Sequence, residues 1–240
     1  GAMVYGDPAN ENIQLNENTF WAGGPHNNLN PAALKALPEI RRLISAGEYS
    51  AAEKLGEQAI TSQGSNGMPY QTAGNLHLVF PGHKNYQHYY RDLNIANAVA
   101  TTRYEVDGVT YQRDVFTSFV DQVVAIKLTA SKAGALTFSA NFSHSSSMAF
   151  SVGNDGATLI MQGLSKDHEG IKGQVKLVSL AKVVTQGGKV SAADNRLQIA
   201  NADSALILIS MATNFINYHD LGGDALARSQ TTLQKALTSF

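Results

Sequence analysis

The feature that most constrains the fold is a long succession of short apolar segments separated by turn residues, which extends over residues 73–211. The strand-like segments include residues 123–128, 136–142 and 206–209, and the turn clusters include residues 153–156, 187–189 and 201–203. Many short strands at this spacing, with few helices between them, are typical of an antiparallel sandwich. The sequence therefore predicts a mainly β chain that folds as one large antiparallel β-sandwich, a supersandwich.

One dipeptide in this region predicts a hairpin and its register. Asp-Gly at residues 107–108 lies between Val106 and Val109 and favours a two-residue type I′ turn. Counting outward from the turn pairs Val106 with Val109. Two residues further along, Tyr104 pairs with Tyr111 on the same face. The opposite face then carries four polar side chains, Arg103, Glu105, Thr110 and Gln112.

Residues 31–62 predict a helical hairpin inserted near the N-terminus. We expect Asn30 to act as the N-cap of the first helix, with a proline in the first turn, and Pro38 to restart the helix. The Ser-x-x-Glu pattern at residues 50–53 predicts a capping box at the start of the second helix. Residues 64–67 predict the turn that ends the insert.

The end of the chain predicts a closing helix. Asp224 follows two glycines and is a suitable N-cap. One side of this helix carries large apolar side chains, Leu226, Leu233, Leu237 and Phe240. We expect that stripe to be incompletely buried unless another domain covers it. The sequence thus divides into a β-sandwich domain at residues 1–222, with its insert at about 31–62, and the start of a linker helix at residues 223–240.

Composition excludes several classes of function. The 240 residues are 43% hydrophobic, which is enough for a substantial core in one domain. Lysine plus arginine total 18 and aspartate plus glutamate 19, with no basic stripe, so we expect neither a nucleic acid nor a membrane as partner. The absence of cysteine excludes disulfides and thiolate metal sites. The seven histidines lack metal-binding spacing, so we expect no metal and no cofactor.

The only tryptophan lies in an unusual polar string, QLNENTFWAGGP at residues 14–25. Asn16 and Glu17 precede Trp21, and a Gly-Gly-Pro turn follows it. Planar hydrogen-bonding groups suit sugar hydroxyls, and an aromatic ring suits the C–H face of a sugar. The string therefore indicates a carbohydrate-recognising loop or, as the alternative, an ordinary loop in which Trp21 anchors the core.

Further motifs accompany this string in a fixed order. They are GAMVYG at residues 1–6, LPEIRRLI at 37–44, GMPYQ at 67–71, GNL at 74–76, YYRDLN at 89–94, GVTY at 108–111, RDVF at 113–116, DQVV at 121–124 and DHEG at 167–170. Together with the string they resemble the N-terminal region of glycoside hydrolase family 95, the α-L-fucosidases that act mainly on 1,2-linked fucose. The resemblance covers nearly all 240 residues, and the number and order of the motifs make it specific.

The resemblance implies an enzyme longer than this chain. In that family the chemistry belongs to a later helical (α/α)6 barrel, so we expect no catalytic residue here and an inactive fragment. The implied partner is that barrel in the same parent chain, and the implied substrate is a fucosylated glycan hydrolysed with inversion. The resemblance also implies a periplasmic or secreted bacterial protein. L-fucose and L-galactose both remain open as the sugar.

Four residues are candidates for the rim of the parent's substrate pocket, namely Asn16, Glu17, Trp21 and His168. His168 belongs to the DHEG motif, for which the alternative is a turn with an exposed imidazole. In this hypothesis the domain braces the barrel and lends these loop residues to the pocket.

Other hypotheses stay open. A stand-alone carbohydrate-binding module would use Trp21 and an aromatic cluster formed by Tyr86, His88, Tyr89 and Tyr90, although alternate strand residues in the core would explain that cluster as well. A purely structural docking domain is another alternative. The last is the sandwich domain of a family-65-type disaccharide phosphorylase, against which the string at residues 14–25 argues.

Overall fold

In the computed structural model, which describes residues 1–62 and 67–239, fourteen strands form two antiparallel sheets. The six-stranded sheet has the order β1 (Ala2–Val4), β2 (Asn10–Leu15), β3 (Asn75–Val79), β8 (Leu136–Ser143), β13 (Arg196–Ala202) and β12 (Lys189–Ala193). The eight-stranded sheet has the order β4 (Gln87–Asn94), β5 (Val99–Val106), β6 (Val109–Ser118), β7 (Val123–Ala130), β14 (Ser204–Thr213), β11 (Lys176–Gln186), β10 (Thr158–Leu164) and β9 (Met148–Val152). The predicted mainly β sandwich is confirmed.

The predicted hairpin is confirmed with its register. Val106 lies opposite Val109, and Tyr104 lies opposite Tyr111. Both turn residues at positions 107–108 have positive φ, 49° and 74°, as a type I′ turn requires. The two tyrosines are buried in the core, so the hairpin packs one face against the other sheet.

The main core lies between the sheets and is built by alternation along the strands. Strand β14 shows this most clearly, because it lies between β7 and β11 in the middle of its sheet. Its residues Ile207 and Ile209 point into the main core, whereas Leu208 belongs to a second core on the outer face of the sheet. The strand at residues 206–209 is therefore covered on both faces, as its continuous apolar pattern predicts.

The helical insert folds as two helices, α1 (Ala33–Ser45) and α2 (Tyr49–Ala59), which share a small core of their own. The prediction that Pro38 restarts the helix is wrong, because α1 continues through it. A proline in a helix removes one backbone hydrogen bond, here the bond to the carbonyl of Leu34. Leu34 is exposed to water, which can solvate that carbonyl.

Asn30 does not cap α1, since the residue in the N-cap position is Ala32. Its Oδ1 instead accepts a hydrogen bond from the Ala32 N–H at 2.9 Å. Its Nδ2 donates to the carbonyls of Gln58 at 3.3 Å and Thr61 at 3.1 Å. Asn30 is buried and ties the beginning of the insert to its end.

The predicted capping box at residues 50–53 is also wrong. The N-cap of α2 is Glu48, and no side chain caps this helix. Ser50 lies inside the helix, one residue beyond its start, where its hydroxyl cannot serve as the N-cap. Residues 64–66 of the predicted closing turn lie outside the described part of the chain.

The closing helix, α3 (Ala225–Leu237), lies on the outer face of the eight-stranded sheet. The predicted cap is confirmed, because Asp224 Oδ1 accepts from the Ala227 N–H at 3.0 Å. The predicted incomplete burial of the large apolar stripe is confirmed for Leu226 and Leu237, whereas Leu233 is buried. The residues that the sheet buries are Ala225, Ser229, Leu233 and Ala236. The sheet therefore selects mostly small side chains, which let the helix lie close to it.

Two large residues of the predicted stripe lie at the margin of the contact between α3 and the sheet. Leu226 and Leu237 are 38% and 37% exposed, while Phe240 lies outside the described residues. Because α3 packs against β11 and β14 and joins their outer core, it is physically continuous with the sandwich. Its role as the start of a linker stays a prediction. Among the described residues, no helix is long and apolar enough to cross a membrane.

Candidate functional site at one end of the sandwich

Several strand ends from both sheets meet at one end of the sandwich, which we call the loop end. Gln14 lies opposite Asn75, and Leu177 lies opposite Thr213. A hydrogen bond between the hydroxyls of Thr19 and Thr213 joins the loop after β2 to the end of β14 in the other sheet. The connections that form the loop end are residues 16–62 with 67–74, 119–122, 144–147, 165–175 and 214–224.

Trp21 lies on the surface of the loop end with 43% of its area exposed, whereas its neighbour Phe20 is fully buried. The alternative that Trp21 anchors the core is therefore wrong, since Phe20 does so. Trp21 forms a backbone bridge with Tyr70, and the two rings pack edge to face with centroids 5.4 Å apart. The indole Nε1 donates to the Asn18 carbonyl at 3.0 Å, which fixes the orientation of the exposed ring.

Asn16 and Glu17 lie beside this pair of rings. Glu17 Oε2 accepts from the Thr19 N–H at 2.7 Å and from its hydroxyl at 2.8 Å. The Tyr70 hydroxyl donates to Asn16 Oδ1 at 3.3 Å. Burial, and then the nearby Glu17 carboxylate, raise the pKa of Tyr70, so the phenol keeps its proton at neutral pH. Asn16, Glu17 and Asn18 also line a polar cleft of about 290 Å³.

Gly23 joins the string at residues 14–25 to two distant motifs. Its N–H donates to the Lys166 carbonyl at 2.8 Å, and its carbonyl accepts from the Gln174 N–H at 2.9 Å. Its φ is +67°, and a Cβ at this position would lie 2.4 Å from Met68 Sδ and 3.3 Å from a methyl group of Ile171. Glycine is needed here because only hydrogen fits between these neighbours.

His168 begins a two-residue turn that closes on Ile171 through a pair of backbone hydrogen bonds of 2.9 and 2.8 Å. The two residues between them have positive φ, 45° and 81°. Asp167 supports the loop, with Oδ1 accepting from the Gly173 N–H at 2.9 Å and Oδ2 from Lys172 Nζ at 2.6 Å. The hydrogen bond from Lys172 lowers the pKa of Asp167. The structure thus places His168 in a hairpin turn whose last residue contacts Gly23.

An apolar cleft of about 240 Å³ lies beside Trp21. Its walls include Trp21, Pro25, His26, Met68, Phe215 and Tyr218. The volume is below the roughly 300 Å³ at which small-molecule pockets begin, so the cleft suits one ring or one side chain. Phe215 and Tyr218 were not predicted as site residues from the sequence. Their position directly after an apolar strand was an available signal, because aromatic residues in such a loop often contact a ligand or another domain.

The carboxylates of the loop end have local structural partners. Glu17 is bonded within its own turn, and Asp167 pairs with Lys172. Glu169 Oε2 lies 3.8 Å from His168 Nε2. Among the described residues, no group of three histidines or acidic residues is close enough to hold a metal ion. The other groups that this surface presents are amides, a phenol, an imidazole and exposed aromatic rings.

The second aromatic cluster lies elsewhere. Tyr86, Tyr89 and Tyr90 are exposed, so the alternative that they build the core is wrong. They lie at the start of edge strand β4, away from the loop end, where a bulge with positive φ at His88 interrupts the pairing. Arg103 lies 5.6 Å from the centre of the Tyr90 ring, and the Tyr89 hydroxyl donates to the Gly6 carbonyl at 2.9 Å.

Comparison with protein families shows where such a sandwich belongs. Residues 1–218 match the family model described as "Glycosyl hydrolase family 65, N-terminal domain". The chain belongs to this family. The matched range ends before α3 and includes the strands of both sheets, the helical insert and most of the loop end.

Curated relatives of this family 65 N-terminal domain carry fucosidase names. Alpha-L-fucosidase 2 of Arabidopsis thaliana is 30% identical over 240 residues, covering 90% of this chain and 28% of that protein. "Probable alpha-fucosidase A" of Aspergillus oryzae is 28% identical over 136 residues, covering 53% of this chain and 18% of that protein. The Aspergillus niger protein of the same name is 28% identical over 138 residues, covering 54% and 17%.

The resemblance seen in the sequence is confirmed at the level of an N-terminal glycoside hydrolase domain. The matching model bears the family 65 name, the alternative against which the string at residues 14–25 argues, while the curated relatives are named as fucosidases. The chain spans less than a third of the length of these relatives.

Proposed function

We propose that this domain is the non-catalytic N-terminal β-sandwich of an enzyme that resembles inverting α-L-fucosidases and removes terminal 1,2-linked fucose. In this proposal it braces an (α/α)6 catalytic barrel of the same parent chain, and its loop end shapes the rim of the substrate pocket. One observation carries the proposal. Three segments, at 14–25, 67–71 and 165–174, are separated by 41 and 93 residues of sequence and meet around Gly23 on one surface.

The exposed side chains of the loop end support this assignment. Trp21, Tyr218, Phe119 and Leu29 are all exposed there, although each is large and apolar. Concentrated apolar exposure marks contact surfaces, either for another domain or for a ligand. The amide and carboxylate groups of Asn16 and Glu17 would face sugar hydroxyls at such a rim, with His168 on the neighbouring turn. We also propose a periplasmic or secreted location in a bacterium, which a cysteine-free chain fits.

The first test measures activity of the 240-residue chain alone on fucosyl-lactose. We expect no release of fucose above the buffer control, because the acid and base of the parent would belong to its barrel. Measurable release would overturn the assignment as a non-catalytic domain. In the parent enzyme, Trp21→Ala should raise KM about two- to tenfold, the value of one aromatic contact, while Tyr90→Ala on the distant cluster serves as the matched control.

A second candidate function is a stand-alone carbohydrate-binding module, favoured by the exposure of Trp21 and of the tyrosines on β4. Because the chain has one tryptophan, its fluorescence reports the loop end alone. Saturable quenching by fucosylated oligosaccharides would favour the module. Heat of binding without a fluorescence change would point to another surface, and no signal in either measurement would favour the bracing role.

The family 65 name keeps a third candidate open, the sandwich domain of a disaccharide phosphorylase. Measuring the activity of the parent enzyme with and without inorganic phosphate distinguishes a phosphorylase from a fucosidase. A phosphorylase needs phosphate for turnover, whereas a fucosidase needs only water.

A further inference from the structure

The outer face of the six-stranded sheet has an unusual composition on its three central strands. Residues that alternate with the core positions of β2, β3 and β8 point outward. These outward residues are Asn10, Asn12, Gln14, Asn75, His77, Val79, Thr137, Ser139, Asn141 and Ser143. None carries a carboxylate, an ammonium or a guanidinium group. Burial lowers the pKa of His77, so its imidazole is neutral at neutral pH and these ten positions carry no formal charge. The neighbouring strands β13 and β12 add two outward cations at the margin of this surface, Arg196 and Lys189.

The strand register arranges these groups in rows. Asn12 lies directly opposite His77, and His77 lies directly opposite Asn141. With strands about 4.8 Å apart, the three side chains extend over about 10 Å. Gln14, Asn75 and Ser143 form a parallel second row. The rows present hydrogen-bonding groups at regular intervals, as successive sugar hydroxyls require.

The first row keeps unused hydrogen-bonding capacity. Asn12 Oδ1 is shielded from solvent and has no hydrogen-bond partner among the described residues. Ser143 Oγ lies 2.6 Å from His77 Nε2 and holds the ring in one orientation. The only hydrogen bond of the Asn141 side chain that the structure shows is a long one, 3.3 Å, from Nδ2 to the Phe142 carbonyl. A buried oxygen without a partner is costly, so the Asn12 amide would gain by rotating to meet a donor at the surface.

An aromatic side chain completes the first row at one edge. Tyr5 follows β1, and its N–H donates to the Asn12 carbonyl at 3.3 Å. Its ring is exposed, and Met3 is exposed beside it. An exposed ring next to a row of amides can stack on the C–H face of a sugar while the amides bind its hydroxyls.

The outer face of the other sheet differs from these three strands in carrying both acidic and basic side chains. The outward residues of its β5 and β6 include Arg103, Glu105 and Asp114. A protein partner would favour a face with an apolar or aromatic centre, whereas the only apolar residue among the outward positions of the three central strands is Val79. A nucleic acid would need basic side chains. A neutral ligand with many hydroxyl groups matches the composition best.

We propose that the outer face of β2, β3 and β8 is a binding site for a neutral oligosaccharide, with Asn12, His77 and Asn141 as the hydrogen-bonding row and Tyr5 as the stacking ring. This site is separate from the loop end and does not depend on the role proposed for it. It would hold a glycan chain on the domain independently of any pocket in a catalytic barrel.

The test is an NMR titration of the 240-residue chain with fucosyl-lactose and, separately, with malto- and cello-hexaose as neutral probes. We expect the side-chain amide signals of Asn12 and Asn141 and the ring C–H signals of His77 to shift with at least one probe. Asn141→Ala and Tyr5→Ala should each weaken that binding about five- to tenfold, the effect of losing one polar or aromatic contact. Because both side chains point outward, the fold should tolerate these changes.

Two matched variants separate this site from other surfaces. Glu39→Ala alters the exposed surface of the helical insert and Gln112→Ala alters the outer face of the other sheet, and both should bind the probe as the unchanged chain does. The proposal is overturned if no probe at 10 mM, about the weakest affinity of interest, shifts the NMR signals of Asn12, His77 and Asn141. It is also overturned if the shifts follow protein concentration instead of sugar concentration, which would identify a second copy of the chain as the occupant.

Discussion

At the scale of single residues, Glu11 and Arg113 are charged side chains at strand positions where alternation predicts apolar ones. Alternation places both residues on the inner face of their strands, and they are 0% and 1% exposed. Glu11 Oε1 accepts from the N–H groups of Tyr5 and Gly6, both at 2.9 Å, and Arg113 donates to its Oε2. The guanidinium also lies 5.1 Å from the centre of the Phe80 ring. The buried charges are tolerated because they pair with each other and with the backbone, although Arg113 Nε has no hydrogen-bond partner among the described residues.

We predict that Glu11→Ala destabilises the domain by about 3–5 kcal/mol, because it leaves the Arg113 guanidinium buried without its counter-charge. Urea unfolding followed by circular dichroism measures this loss. Replacing both residues with Leu and Met should cost less than Glu11→Ala alone. Glu39→Ala is the control, since its partner Arg42 is in water and the midpoint should not change. An equal effect of the two alanine variants would contradict the reading.

At the scale of elements, the effect of a glycine on stability depends on the backbone conformation that its position requires. The hairpin between β5 and β6 depends on Gly108, whose φ of +74° most residues avoid. Gly56 in α2 is the opposite case, a glycine in a helix with open space around its Cα. In the first position glycine stabilises the observed conformation, and in the second it only adds freedom to the unfolded chain.

We predict that Gly108→Ala lowers the free energy of unfolding by about 1–2 kcal/mol, while Gly56→Ala raises the stability of α2 by about 0.5–1 kcal/mol. Neither new methyl group meets a neighbour within 4 Å, so the comparison isolates backbone conformation. Thermal and urea unfolding measure the first change, and hydrogen exchange of the α2 amides measures the second. Changes of the same sign at both positions would refute this account.

At the scale of the whole molecule, α3 completes the fold by covering the outer face of β7, β11 and β14. Leu233 and the small residues around it pack on Val178 and Leu208, which would otherwise be exposed. The Ser210 hydroxyl donates to the Ser229 carbonyl at 2.8 Å in the same interface. The family match ends at residue 218, yet the helix after it belongs physically to the sandwich.

We predict that Leu233→Ala destabilises the domain by about 2–4 kcal/mol, as removal of a buried leucine side chain does. The same change at Leu226, which is 38% exposed and one face away, should cost well under half as much. Urea unfolding measures both losses, provided that the free energy of unfolding of the two variants depends on urea concentration with the same slope. Equal losses would mean that α3 rests on the sheet in a different rotation.

The sequence by itself determined the features that depend on neighbours along the chain. The two-residue period predicted the sandwich, the Asp-Gly pair predicted the 107–108 hairpin with its register, and Asp224 predicted the cap of α3. The ordered motifs also predicted an N-terminal glycoside hydrolase domain. The sandwich, the hairpin and the cap follow from backbone angles or side-chain alternation over a few residues, which local sequence controls. The glycoside hydrolase domain follows instead from the resemblance of the motifs to a known family.

Only the tertiary structure decided which distant surfaces meet. It buried Phe20 and exposed Trp21, and it let α1 continue through Pro38. It turned Leu233 and three small residues of α3 toward the sheet and left Leu226 and Leu237 partly exposed. It also brought the motifs at 14–25, 67–71 and 165–174 together around Gly23. These outcomes depend on packing and on buried hydrogen bonds between segments far apart in sequence, where the free energy of the whole arrangement overrides each local preference.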